Sequence, residues 1–212
     1  MASLTQKRPL PGSWILISLA VAVVIAAAGI VFGLRRASQP KLSGGLVFSD
    51  MPQAPDFSLR DQNGQTVTMS QLQGKVVALT FLYTRCPDVC PTTLAELKAL
   101  KDQLGEDGKR LQVLFVTVDP ERDTQKLLAN YVPAFDPSFL GLYGDSAATA
   151  RVAKNFRVFY QKSPGKTPDG YTVDHTAGSY VFDPQGRLRL FVRHGNAANL
   201  AADVRILLNA SG

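Results

Sequence analysis

The sequence predicts an α/β protein, in which helices flank a central mixed sheet behind a single N-terminal transmembrane helix. Residues 76–83 and 111–118 are continuous apolar runs, the pattern of strands buried on both faces of a sheet. Leucines recur at helical spacing after the first run. Residues 14–34 carry no charge. Together these patterns predict one membrane helix followed by one α/β domain.

The uncharged segment 14–34 is long enough to cross a membrane. Its 21 residues, at about 1.5 Å rise per residue, span a bilayer core of roughly 30 Å. A cleaved signal peptide is the alternative, since Lys7 and Arg8 precede the segment and residues 26–28 are small. The apolar run continues through Phe32, which favours an uncleaved anchor.

Composition divides the chain into four predicted regions. They are a short tail 1–13, the transmembrane anchor 14–34, a flexible linker 35–50 rich in Pro, Ser and Gly, and one domain 51–212. Residues 1–40 hold four basic and no acidic residues, so the rest of the chain holds 19 basic and 17 acidic residues. This near balance indicates no nucleic-acid partner.

Turn and capping signals order the elements of the domain. Asn63-Gly64 predicts a hairpin turn, and Asp123 and Asp145 predict helix N-caps. The predicted elements are strands 56–59, 66–68 and 76–83, a helix through 94–104, strand 111–118, helices 124–131 and 145–156, strand 158–161, a polar stretch 162–169, strands 179–182 and 188–192, and a helix 197–208. A β-α-β half followed by a β-β-α half is the thioredoxin-like arrangement.

The only two cysteines, Cys86 and Cys90, lie between a predicted buried strand and a predicted helix. Pro91 is typical of a first helical turn, and the positive end of a helix dipole favours thiolates. Thiolate is the form that attacks disulfides or binds metal. Asp88, between the cysteines, is expected to cap the helix rather than to raise a thiol pKa.

The spacing of the cysteines permits two kinds of chemistry. A thiol-disulfide oxidoreductase uses one thiolate to attack and the second to resolve the mixed disulfide, most often from C-x-x-C. Here three residues separate the thiols, so both sulfurs can also converge on one ion with room for a third ligand. Two thiolates and an imidazole suit Cu(I), and also Cu(II) or zinc. A nearby histidine would therefore favour a metal site.

Of the two histidines, His175 is the better candidate ligand. It directly precedes the predicted strand 179–182, at a position that a thioredoxin fold places beside the cysteine loop and fills with proline. A capped strand end is the alternative interpretation of His175. His194 follows the second hairpin and is expected to lie in an exposed loop outside the site.

Three separated motifs resemble those of the Sco/SenC copper proteins. They are Thr-Arg-Cys-Pro-Asp-Val-Cys-Pro at 84–91, Val-Asp-Pro-Glu-Arg-Asp-Thr at 118–124 and Asp-His-Thr at 174–176. The resemblance extends over roughly 51–208. It implies a thioredoxin-like fold, an anchor of one N-terminal helix, and a domain in the periplasm at the bacterial inner membrane or its mitochondrial equivalent, the intermembrane space.

The resemblance also implies a ligand set and a partner. Cys86, Cys90 and His175 match the copper ligands of the family, and Asp119 matches an acidic residue near the copper. From its position alone, Asp119 could support a ligand by hydrogen bonding or form an ordinary helix-entry turn. The implied cargo is Cu(I) or Cu(II). The implied partner is the copper-bearing subunit of cytochrome c oxidase or another copper chaperone.

Two functions from different classes follow. The first is a metallochaperone that delivers copper to the binuclear copper centre of the oxidase. The second is a thiol-disulfide oxidoreductase that reduces the cysteines of that centre, with Cys86 and Cys90 as a redox pair. A peroxidase fits poorly, because Thr84 lies two residues before Cys86, where peroxiredoxins have a threonine three residues before their reactive cysteine.

Overall fold

The computed structural model describes residues 12–37, 41–164, 170–195 and 199–210. In the first of these ranges, side chains are described only for 17–29. Most of the predicted tail, residues 165–169 of the polar stretch and the predicted start of the last helix at Ala197 lie outside the described residues. The chain divides into two compact units between Pro40 and Lys41.

The first unit contains one described helix, α1, Gly12–Ala37. Its described apolar side chains are exposed, among them Ile17, Val24 and Ile25. Within the described residues, no helix combines the length and the hydropathy required to cross a membrane.

The second unit is built on a six-stranded mixed sheet. Its strands and those of two small hairpins are β1 Leu46–Val47, β2 Ser58–Arg60, β3 Thr66–Thr68, β4 Val76–Leu82, β5 Leu111–Thr117, β6 Leu140–Leu142, β7 Tyr160–Pro164, β8 Tyr171–His175, β9 Gly178–Phe182 and β10 Leu188–Arg193. The large sheet has the order β1-β10-β9-β4-β5-β6. Strands β4, β5 and β6 are parallel, and β9 is antiparallel to β4. The pairs β2–β3 and β7–β8 form separate two-stranded sheets.

Helices connect successive strands of the second unit, and the last helix follows the last strand. They are α2 Val89–Leu104, α3 Gln125–Tyr131, α4 Ser146–Asn155 and α5 Leu200–Asn209. Every residue of β4 and β5 is buried, which confirms the two predicted central strands. On α2, the leucines at 94, 97, 100 and 104 are buried. The residues whose spacing predicts the helix therefore form the face that packs against the core.

The structure adds strands that the sequence does not predict, and it corrects one cap. Strands β1 and β6 have only two and three residues, too few for a periodic pattern. In β8 only Val173 is buried, so its sequence does not alternate clearly. Thr124, not Asp123, is the N-cap of α3 and accepts a hydrogen bond from Leu127 N–H. The prediction for Asp123 is wrong because its carboxylate turns inward.

Residues 41–50, which the sequence assigns to a linker, begin the second unit. Strand β1 pairs with β10. The buried carboxylate of Asp203 on α5 accepts hydrogen bonds from the N–H groups of Ser43, at 3.0 Å, and Gly44, at 2.5 Å. A Cβ atom at residue 44 would lie 2.7 Å from this carboxylate, so the close approach requires glycine. This segment is therefore fixed to the domain through its main chain.

Replacing the carboxylate that holds this segment should destabilise the domain. We expect Asp203→Ala to lower the free energy of unfolding by about 2 kcal/mol, because two N–H groups lose a charged acceptor in a buried place. Urea denaturation at pH 7 measures this change in the free energy of unfolding. Asp102→Ala, which removes only an exposed ion pair with Lys98, should change the value by less than about 0.5 kcal/mol. Equal effects of the two variants would contradict the expectation.

Candidate metal and redox site

The two cysteines lie where β4 leads into α2. Cys86 is half-buried in the connecting loop, and Cys90 is the second residue of α2 and fully buried. Both cysteines are free. The N–H of Cys90 donates a hydrogen bond to Sγ of Cys86 across 3.4 Å. The sulfur of Cys86 therefore lies at the N-terminus of a 16-residue helix, where the helix dipole favours a thiolate.

The start of α2 differs in detail from the prediction. Asp88 occupies the N-cap position, but its side chain makes no capping hydrogen bond. Pro91 is the third residue of the helix, not the first, and its missing N–H leaves no intrahelical bond unmade, since the first four N–H groups have no such partner. At the N-terminus of α2, the sulfur of Cys86 accepts a hydrogen bond from the backbone, in the way that the side chain of an N-cap residue usually does.

His175, the last residue of β8, approaches the cysteines from a separate hairpin. Its Nε2 lies 3.6 Å from Sγ of Cys90, and its Nδ1 lies 3.2 Å from the carbonyl oxygen of Thr176. Because a carbonyl only accepts, Nδ1 carries the proton of the neutral ring and Nε2 directs a lone pair at Cys90. Burial lowers the pKa of His175, although the hydrogen bond to the Thr176 carbonyl and the charge of Asp174 act to raise it. The ring is therefore neutral at pH 7.

The two thiols have opposite pKa shifts. Burial raises the pKa of Cys86, but hydrogen bonds from the Cys90 thiol and from the N–H groups of Asp88 and Cys90 outweigh it and hold the pKa below its ordinary value. Burial, and then the neighbouring Cys86 thiolate, raise the pKa of Cys90 far above its ordinary value. Cys86 is therefore the better nucleophile, while Cys90 retains its proton.

Tyr83 forms one wall of the site. Its ring meets that of His175 edge-on, at 5.9 Å between centroids and 89° between planes. A hydrogen bond between its hydroxyl and the Cys86 thiol also helps to lower the pKa of Cys86. Its carbonyl accepts the Cys86 N–H at 3.3 Å. Tyr83 therefore holds the cysteine loop and the histidine hairpin in contact.

Asp123 supports the cysteine loop from below. Its buried carboxylate accepts hydrogen bonds from the Thr84 hydroxyl at 2.5 Å, the Thr84 N–H at 3.1 Å and the Thr117 hydroxyl at 2.6 Å. Burial raises the pKa of Asp123 in spite of these bonds. The carboxylate thus connects the start of the cysteine loop, at Thr84, to the end of β5, at Thr117.

Asp119 is buried near the site, but its carboxylate is bonded elsewhere. Oδ1 accepts a hydrogen bond from the Tyr171 hydroxyl at 2.6 Å, and Oδ2 is paired with Nε of Arg122. Its N–H donates to the Thr117 hydroxyl at 3.0 Å. Both carboxylate oxygens are therefore occupied by residues outside the predicted ligand set.

His194 is not in an exposed loop, contrary to the prediction. The residue is half-buried, and within the described part of the chain both of its ring nitrogens are buried without a hydrogen-bond partner. Burial is the main cause that lowers the pKa of His194 to about 4, and His175 adds to the shift when its own ring is protonated. The sequence does not indicate this burial, because Gly195 and the polar residues around it are typical of a surface turn.

The donor atoms of the site suit a soft metal ion, although they do not form a complete coordination site in this arrangement. Over the described ranges, no group of three or more His, Cys, Asp or Glu side chains is already placed to hold a metal. Cys90 and His175 are in contact, and Cys86 contacts the backbone of Cys90. A neutral imidazole nitrogen and two thiols fit copper or zinc once both thiols have lost their protons.

Sequence reasoning placed the three candidate ligands together but missed the residues that hold them. Tyr83 reads only as the end of an apolar run, and Tyr171 only as the residue after Gly170. Arg122 and Asp123 stand in a polar turn where a cap is the simplest interpretation. Their contacts depend on which strands become neighbours, so no local pattern could identify them.

A thiol pair at the strand-to-helix junction of a mixed sheet, with a histidine beside it, defines a thioredoxin-like domain with a dithiol site. The SCO1/SenC family matches residues 49–209, so the chain belongs to that family. Among its relatives, "Protein SCO2 homolog, mitochondrial" of Bos taurus is 38% identical over 150 residues, which cover 70% of this chain and 56% of the bovine protein. The chain thus spans little more than half of that relative.

Solved structures agree with this membership. The copper-bound structure of Bradyrhizobium japonicum ScoI is 42% identical and has a TM-score of 0.64 over 72% of this chain and 98% of that one. The solution structure of apo Sco1 from Thermus thermophilus is 44% identical and has a TM-score of 0.71 over 78% and 97%. These likenesses confirm the predicted thioredoxin-like α/β fold.

Proposed function

We propose that this protein carries one copper ion, bound by Cys86, Cys90 and His175, and delivers it to the binuclear copper centre of cytochrome c oxidase. The carrying observation is the orientation of His175, whose neutral Nε2 directs a lone pair at the buried thiol of Cys90 from 3.6 Å. A histidine that only ended a strand would need neither this tautomer nor this orientation toward Cys90. The copper-bound relative supports the choice of metal.

Loading and release then follow from the protonation of the thiols. Cys86, with its lowered pKa, offers a thiolate first. Cys90 must lose its proton as the metal enters, so binding releases at least one proton and weakens as pH falls. Because Cys86 is partly exposed, an acceptor thiolate can reach the copper from its side and replace the ligands one at a time. A disulfide between Cys86 and Cys90 would remove two donors and prevent loading.

A second function is favoured by the opposite pKa shifts of the thiols. The Cys86 thiolate would attack a disulfide of the oxidase copper site and form a mixed disulfide, with one partner sulfur leaving as a thiolate. Cys90 would then lose its proton and displace the second partner sulfur, closing a Cys86–Cys90 disulfide. Two electrons pass to the partner, so an external dithiol reductant must restore the pair.

The setting proposed for both functions is a membrane surface. The uncharged segment 14–34 supports an uncleaved anchor, with the domain in the periplasm or the mitochondrial intermembrane space. An oxidising compartment would make reduction of the thiols the condition for loading copper. The proposed partner is the copper-bearing oxidase subunit or another copper chaperone that supplies the metal.

An anaerobic copper titration of the reduced full chain in detergent tests the proposal. We expect one tightly held copper, a thiolate-to-Cu(II) charge-transfer band when Cu(II) is used, and about ten- to hundredfold weaker binding in His175→Ala. His194→Gln alters the only other histidine and serves as the matched control, with affinity near that of the wild type. Failure to retain copper, together with a readily cycled Cys86–Cys90 disulfide, would favour the reductase instead.

A further inference from the structure

We propose that Asp119, Glu121 and Arg122 position His175 by clamping the β7–β8 hairpin to the end of β5. The three residues with their partners Lys162 and Tyr171 are called the hairpin clamp below. The inference deepens the proposed function, on which its copper measurements rest, while its structural part can be tested without metal. It also gives Asp119 a role different from direct support of a ligand.

The hairpin that carries His175 requires such a restraint. Among the described residues, strands β7 and β8 pair only with each other and form no strand ladder with the six-stranded sheet. An isolated two-stranded hairpin is marginally stable in water. Strand β7 has no buried residue, and Val173 is the one buried residue of β8. Contacts outside the two strands must therefore fix the position of the hairpin.

Tyr171, the first residue of β8, receives the main contacts of the clamp. Its hydroxyl donates a hydrogen bond to Oδ1 of Asp119 at 2.6 Å. Arg122 donates from Nη1 to the Tyr171 carbonyl at 2.9 Å, and its guanidinium carbon lies 3.5 Å from the centroid of the Tyr171 ring. The arginine thus contacts the backbone and the ring of one residue at the same time, and the ion pair with Asp119 fixes its orientation.

The other strand of the hairpin is held through Lys162 of β7. Its Nζ lies 2.6 Å from a carboxylate oxygen of Glu121 and 4.7 Å from the centroid of the Tyr171 ring. This pair is exposed and is therefore expected to contribute less than the buried contacts. Because the segment 119–122 contacts both strands, the clamp restrains rotation of the hairpin as well as its distance from β5.

The clamp acts on His175 at a distance. Tyr171 precedes His175 by four residues on the same strand, which separates the two by about 13 Å. Fixing the first residue of a short strand restricts where its last residue can lie. At that other end, His175 is held through Thr176, whose N–H donates to the Phe159 carbonyl at 2.9 Å. The clamp residues are therefore positioning residues that touch neither thiol.

Hydrogen exchange of the metal-free full chain in detergent tests the structural part. In Tyr171→Phe, which loses one hydroxyl but keeps the ring, we expect the hydrogen-bonded amides of β7 and β8 to exchange about five- to tenfold faster, with β4 and β5 unchanged. Tyr143→Phe is the matched control, because it also loses one hydroxyl, bonded to Gln125 at 2.9 Å. Identical hairpin exchange in the two variants would overturn the clamp.

A double-mutant cycle on copper affinity tests the positioning role. We expect Tyr171→Phe to weaken copper binding about three- to tenfold in the wild type and to have no further effect in His175→Ala. An equal loss in both backgrounds would overturn the proposal that the clamp acts through His175. If the wild type binds no copper, the proposed function fails, and the exchange measurement still decides whether the clamp holds the hairpin.

Discussion

Iodoacetamide should modify Cys86 on the order of a hundredfold faster than Cys90 in the reduced protein at pH 7.5. The reagent reacts with thiolates, and the pKa of Cys86 is lowered while burial raises that of Cys90. Accessibility acts in the same direction, since Cys86 is partly exposed and Cys90 fully buried. Peptide mass spectrometry after timed quenching measures both rates in one sample.

The alkylation rate of Cys86 should also depend on pH in a definite direction. Because the pKa of Cys86 is below its ordinary value of 9.0, its rate should level off below pH 9 and fall about tenfold per unit at more acidic pH. Cys86→Ser should leave a single slow thiol. In concentrated urea the two thiols should react at similar rates. Comparable rates in the folded protein would contradict the assignment of Cys86 as the nucleophile.

Asp123→Ala should lower the free energy of unfolding by about 3–5 kcal/mol, which is a large part of the stability of an ordinary domain. The change leaves two threonine hydroxyls and the Thr84 N–H without their acceptor in a buried place. The Cys86 alkylation rate should change as well, because Thr84 begins the cysteine loop. Urea denaturation and the alkylation assay measure the two effects.

Two further variants serve as controls for the effects expected of Asp123→Ala. Asp123→Asn retains one acceptor oxygen and should cost about 1–2 kcal/mol. Asp145→Ala removes an exposed N-cap that accepts the Ala148 N–H, and should cost about 1 kcal/mol without affecting alkylation. A loss below about 1 kcal/mol in Asp123→Ala would mean that water replaces the carboxylate and that the loop does not depend on it.

Much of the fold could be predicted because its central elements carry strong local signals. The strands β4 and β5 are buried throughout, so their sequences are continuous apolar runs. The leucine face of α2 and the Asn63-Gly64 turn are equally local. Short edge strands lack such signals, since two or three residues cannot show a period. The cap prediction for Asp123 is wrong because Asp and Thr are both favoured N-cap residues, and the sequence does not show that Thr124 takes this position.

The candidate site could be predicted only in its donor atoms. Cys86, Cys90 and His175 are chemically conspicuous, and the order of the elements brings them to one end of the sheet. The pKa shifts, the tautomer of His175 and the contacts of Tyr171 depend on burial and on non-local neighbours. His194 shows the same limit, because it lines a small cavity together with residues that are distant in sequence, such as Thr93.

The six-stranded sheet also determines how another protein can approach. Its two edges are its shortest strands, β1 with two residues and β6 with three. A row of unpaired backbone groups invites an incoming chain to extend the sheet, and a short row offers little template. Crowded copies of this domain should therefore resist polymerisation through the edges of the six-stranded sheet, whereas the longer β7–β8 hairpin beside the thiols offers an incoming chain five residues per strand.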